Sequence, residues 1–99
     1  MSVTMIHAKV KEENTTAVET AVKTMFAALD EAQPRGVRYE SYRLAGEGGY
    51  TILLELPDGG ENPLLGVAAF REFQEQLKTW LAESLVMEQL ISFGSYVSF

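Results

Sequence analysis

Apolar and polar residues alternate with period two from Val3 to Glu12. Thr4, Ile6, Ala8 and Val10 fall on one side, and Val3, Met5, His7 and Lys9 on the other. That period, with the β-branched content, predicts a strand. The period then changes. Ala17, Val18, Ala21, Val22, Met25, Phe26 and Leu29 recur at helical spacing and form one apolar stripe. Thr16 and Glu19 have the spacing of a capping box, in which each side chain meets a free backbone N–H of the other. The stretch "QPRG", Gln33 to Gly36, stops the helix, because Pro34 cannot continue it and Gly36 suits a turn. "VRYESYRLA", "GEGG" and "YTILLEL" read as a second strand, a glycine-rich reversal and a third strand, paired as an antiparallel hairpin. "PDGGENP" is a loop that ends with Asn62 and Pro63 in the form of a helix N-cap and first helical residue. Phe70, Phe73, Leu77, Trp80 and Leu81 mark the stripe of a second helix, whose outer face carries Arg71, Glu72, Glu75 and Lys78. Arg71 and Glu75 are spaced for an i,i+4 ion pair. "LVMEQL" is ambiguous, with a short helical turn as one option. "ISFGSYVSF" reads as the last strand, with Ile91, Phe93, Val97 and Phe99 on one face and Tyr96 on the other.

The order is β-α-β-β-α-β. It predicts an α+β, ferredoxin-like plan for residues 1–99 as a single domain: a four-stranded antiparallel sheet with both helices on one face. Two helices cover only one face, and the other should be polar. Here it is not, since Val3, Met5 and Leu53 oppose the helix-facing set and the last strand is apolar on both sides. A contiguous apolar face marks an interface. Two such sheets packed face to face in a symmetric homodimer satisfy it. The alternative is a monomer with scattered exposed apolar residues.

Charge narrows the partners. Eight basic and 14 acidic residues give a net charge of −6, and the basic residues are scattered. No basic patch is present to displace phosphate counterions or to hold an anionic membrane surface, so neither nucleic acid nor membrane is expected. The apolar runs are too short to span a bilayer, and the N-terminus lacks the pattern of a signal peptide, which suggests a cytoplasmic protein. The sequon at Asn14-Thr15-Thr16 is then accidental. With no cysteine and one histidine there is no disulfide framework, no thiolate chemistry and no metal-ligand cluster. No nucleophile elbow, P-loop or dinucleotide fingerprint occurs. Small molecules and protein partners remain.

The whole chain resembles the dimeric α/β-barrel superfamily, and within it the antibiotic-biosynthesis-monooxygenase-like domains. The resemblance lies in "MIHAKVKEE" as first strand, "YESYRL" with its hairpin, and "FREFQEQLKTWLAES" followed by "LISFGSYVSF". It is one of length, element order and texture, without a specific motif. The stress-responsive barrel domains are similar in plan and also carry an early histidine in the first strand. The resemblance implies a barrel closed across a homodimer and a small-molecule pocket between each sheet and its helices. It further implies oxidation of an aromatic or polyketide-like substrate without a cofactor; the alternative is a non-catalytic ligand-binding or protein-interaction dimer of the stress-responsive type. Haem-degrading relatives use an asparagine, a tryptophan and a helix histidine. Here Trp80 lies on the second helix, but the histidine is on the first strand and no asparagine lies there, so haem chemistry is not expected.

His7 is the first catalytic candidate, being of the residue type suited to proton transfer near neutral pH. Its alternation places it opposite Ile6 and Ala8, which favours a plain polar residue on the interface face. Trp80 is the second, through stacking and a directional indole N–H, against the alternative of a large core side chain. Phe26, Tyr42, Arg43, Phe70 and Phe73 are the candidate ligand-binding residues: Arg43 to hold a carboxylate or phenolate, the phenylalanines to wall an apolar cavity. Successive residues of the second strand alternate faces, so Tyr42 and Arg43 cannot both line one pocket. The expected ligand is a small apolar or aromatic molecule, with no metal and no cofactor.

Overall fold

The computed structural model describes residues 2–45, 49–57 and 61–98. The elements are β1 (Ser2–Lys9), α1 (Thr15–Ala32), β2 (Arg38–Arg43), β3 (Gly49–Leu56), α2 (Ala68–Trp80) and β4 (Val86–Leu90). The strands form one sheet in the order β2-β3-β1-β4, and every neighbouring pair is antiparallel. The ferredoxin-like plan is therefore the fold. Most of the "GEGG" reversal, the centre of the "PDGGENP" loop and Phe99 lie outside the described residues.

Register fixes the two faces. Ile6 stands opposite Ile52 and Met87, Ala8 opposite Tyr50, and Tyr39 opposite Leu54. Thr4, Ile6, Ala8, Tyr39, Tyr50, Ile52 and Leu54 thus share one side, the side whose alternation was read as helix-facing. Against it pack Val18, Met25 and Leu29 of α1 and Phe70, Phe73 and Leu77 of α2, all buried. Each such side chain contributes about 1.5–3 kcal/mol by leaving water. Thr4 is polar yet buried, and the Gln89 side-chain amide donates to its hydroxyl at 3.1 Å.

Helix ends differ in detail from the sequence reading. Asn14, not Thr16, is the N-cap of α1, and it makes no side-chain cap bond. Thr16 lies inside the first turn, and the Glu19 carboxylate is taken by Arg43 and Tyr50, each donating at 3.0 Å. A cation and a phenol across the sheet outcompete the local box. At the other end Gln33 adopts the left-handed region (φ 48°) and its N–H donates to the Leu29 carbonyl at 2.8 Å, the stop expected before Pro34. Asn62 does cap, accepting from the Leu64 N–H at 2.9 Å, but it caps a short 3-10 turn over Pro63–Gly66, and α2 begins only at Ala68. The Arg71–Glu75 pair does not form: Arg71 donates to the Leu65 carbonyl, and Lys78 takes Glu75 at 3.2 Å.

The C-terminal expectation is corrected. β1 ends at Lys9, and the chain just beyond it bridges to the segment leaving α2: Lys11 N–H donates to the Trp80 carbonyl at 3.1 Å, and Ala82 N–H to the Lys9 carbonyl at 2.8 Å. That pairing delivers the chain alongside β1 early enough for "LVMEQL", not "ISFGSYVSF", to supply β4. Residues 91–98 continue past it in no helix or strand, with Ile91 94% and Tyr96 90% exposed. No helix among the described residues is long and apolar enough to cross a membrane.

Candidate functional site

Between the sheet and α2 the packing leaves a cavity of about 220 Å³. Its floor is Ile6, Tyr39, Ile52 and Leu54 of the sheet; its wall is Phe70, Phe73 and Leu77 of α2. The mouth carries Gln74, Glu75, Lys78 and Leu85. The helical repeat explains the division: Phe70, Phe73 and Leu77 recur along the inward stripe, and Gln74 and Lys78 follow one position later, at its edge. The mouth's two charges neutralise each other, since the Lys78 ammonium donates to Glu75 at 3.2 Å and both are well exposed.

Tyr39 is the only polar residue on the sheet side of this cavity among the described residues. Its ring lies edge-on to Phe70 (centroids 5.6 Å apart, 81° between planes) and tilted against Phe26 (5.5 Å, 32°). Burial pushes its phenol up to about 12, because the phenolate would lose its hydration. The group is thus a neutral O–H donor at any physiological pH.

Of the candidates read from sequence, Phe70 and Phe73 line the cavity, and Phe26 supports it from behind Tyr39. The others do not converge on it. His7 lies on the outer sheet face, sharing a 3.3 Å hydrogen bond between Nδ1 and the Thr51 hydroxyl, with Glu88 at 4.0 Å from Nε2. Trp80 lines a separate, more open groove between the two helices. Tyr42 is half-exposed on the outer face and donates to Glu40, whose carboxyl that bond and the Arg38 guanidinium hold below the usual carboxylate range. Arg43 is on the helix-facing side but at the far end, bound to Glu19; the Tyr50 hydroxyl first, and Arg43 second, depress the Glu19 carboxyl. Outward-facing Arg38 pairs with Glu40 at 2.7 Å and approaches Glu55 at 4.0 Å. Ile6, Gln74 and Leu85 were not among the candidates, and Tyr39 stood out only as one of the polar-aromatic residues of its strand, with Arg38, Tyr42 and Arg43. The signal for Tyr39 was available in the hairpin register, which sets it on the same face as Leu54. No group of three or more metal-ligating side chains is gathered among the described residues.

No family model and no curated protein matches the chain. Solved structures do. A candidate antibiotic biosynthesis monooxygenase from Bacteroides thetaiotaomicron superposes with a TM-score of 0.80 at 11% identity, covering 99% of this chain and 94% of its own. One from Caulobacter crescentus gives 0.76 at 20% identity, with 94% and 90% covered. One from Nitrosomonas europaea gives 0.75 at 16%, with 93% and 89% covered. The fold is that of the antibiotic biosynthesis monooxygenase-like proteins. The identities are low, so what the comparison shows this chain to share with these proteins is the backbone plan.

Proposed function

We propose that the protein binds a small apolar or aromatic molecule in the cavity between the sheet and α2. The carrying observation is the cavity itself: apolar walls, one phenol on the floor and a charge-neutral mouth. Ligand sites commonly span about 300–1,000 Å³, and this one, at 220 Å³, suits a compact aromatic ligand. Naphthalene followed by ligand-detected NMR tests the reading. Binding is expected to the wild type and to weaken at least about tenfold when Leu54→Trp fills the cavity. Absence of wild-type binding overturns it.

Monooxygenation is the chemistry in the structural neighbours' names, and its cofactor-independent form is the one the sequence resemblance implies. For an anthrone-like CH₂ flanked by aromatic rings, one atom of O₂ becomes the new carbonyl oxygen. The two hydrogens leave with the other atom as water. The protein would contribute orientation, exclusion of water and a phenol donor beside the enolate that forms on loss of the first proton. Oxygen uptake with anthrone, above the rate without protein, tests this; naphthalene binding without uptake leaves the non-catalytic ligand-binding reading.

The functional unit in this reading is a homodimer joined through the outer sheet face. Val3, Met5, Leu53 and Leu90 are only half-buried there, and Val86 is exposed beside them. The adjoining segment 91–98 adds Ile91, Phe93, Tyr96 and Val97, which this chain leaves uncovered. A second copy offers the same surface in the isologous geometry that a two-fold axis requires. Sedimentation at micromolar concentration should give a dimer, and a monomer would overturn the assignment.

A further inference from the structure

The floor of the cavity carries a hydrogen-bonding group that the protein does not use. Tyr39 has no hydrogen-bond partner among the described residues, while Tyr42 and Tyr50 both donate to carboxylates. No sealed side-chain polar atom among the described residues is left without a partner, so the unpartnered Tyr39 hydroxyl is open to a probe. The ring is held on two sides, by Phe26 and by Phe70, so the hydroxyl's position is set before any ligand arrives. Ile6, Ile52, Leu54, Phe70 and Phe73 carry no polar side-chain atom; the acceptors in the lining, Gln74 and Glu75, lie on the edge of α2 at the mouth.

We propose that the Tyr39 hydroxyl is the donor that orients the ligand, and that the cavity selects flat apolar molecules bearing one neutral carbonyl oxygen. The proposal rests on the ligand-binding reading of this cavity. Its chemistry follows from what a single phenol can replace. A ketone oxygen entering the cavity gives up about one water hydrogen bond and regains it from Tyr39. A carboxylate gives up a full hydration shell and regains the same single bond. The one cation in the cavity lining, Lys78, is paired with Glu75 and offers no uncompensated charge. Because burial holds the phenol protonated, it donates and does not repel the acceptor.

The test compares three probes of similar outline on wild type and Tyr39→Phe: naphthalene, 1-tetralone and 1-naphthoate, by ligand-detected NMR titration. Phenylalanine keeps the ring against Phe26 and Phe70, and an unchanged melting temperature at neutral pH verifies that packing. In the wild type, 1-tetralone should bind more tightly than naphthalene, and 1-naphthoate most weakly. Tyr39→Phe should weaken 1-tetralone roughly 3- to 10-fold while leaving naphthalene unchanged, so the tetralone-to-naphthalene affinity ratio collapses. A merely structural tyrosine would move both probes together. Naphthalene binding with an unchanged ratio overturns the role of Tyr39 and leaves the cavity reading standing. 1-Naphthoate as tight as 1-tetralone overturns the neutral-acceptor selectivity. No binding of any probe to the wild type overturns both the proposal and the reading beneath it.

Discussion

At the scale of single residues, Tyr39 and His7 show how burial and facing outweigh rarity. Tyr39 is one of four tyrosines, yet it alone lies on the cavity floor. Its folded pKa is raised to about 12 from 10, so the folded state holds a proton that the unfolded state loses first. The stability this contributes is fully present below about pH 10 and is lost as pH rises through 12. Tyr39→Phe removes that limb. Urea unfolding at pH 8 and again near pH 11.5 should show wild type losing about 2 kcal/mol more than the variant between the two, with Tyr50 common to both. His7 is the only histidine, and strand alternation alone located it correctly on the outer face, away from the cavity. His7→Gln should therefore leave naphthalene affinity within about twofold of wild type by the same NMR titration.

At the scale of elements, the helices were legible and the strand pairing at the C-terminus was not. The α2 stripe is written in the sequence at helical spacing, and Phe70, Phe73 and Leu77 are buried as that spacing demands. Phe70 is 1% exposed and also braces Tyr39. Phe70→Ala should lose about 3–5 kcal/mol in chemical denaturation, a large share of the roughly 5–15 kcal/mol that keeps a domain folded. Phe70→Leu, which keeps most of the volume, should lose distinctly less. Capping was misread because a capping box is a local bargain: Thr16 and Glu19 have the spacing, but Arg43 and Tyr50 hold Glu19 from across the fold. β4 was misread for a related reason. "ISFGSYVSF" has the stronger strand composition, whereas strand formation needs a neighbour, and β1 offers its free edge to Val86–Leu90 first. The resemblance implied a cavity between sheet and helices, but periodicity could not give its lining, because it is a gap set by how α2 sits on the sheet.

At the scale of the whole molecule, the chain ends β4 with its most apolar exposed surface. Ile91, Phe93 and Tyr96 lie in water on a segment that no helix or sheet of the same chain covers. A monomer gains nothing from keeping them so, whereas a second copy would bury them along with the outer sheet face. The net charge of −6 per chain opposes that association at long range, and salt screens it. If dimerisation stabilises the fold, the melting temperature must depend on protein concentration, because mass action favours the folded dimer over unfolded chains. A chain ending at Leu90 keeps every paired strand but lacks the exposed segment. Melting by differential scanning fluorimetry or circular dichroism from about 2 to 200 µM should raise the midpoint of the full chain by several degrees. It should raise that of the shortened chain less, because the outer sheet face remains while the apolar segment is gone. Moving from about 10 mM to 150 mM salt should strengthen association of the full chain, since a Debye length near 30 Å falls to about 8 Å and the long-range repulsion between the two like-charged bodies is largely screened. A concentration-independent midpoint for the full chain would show that the exposed segment serves no self-association.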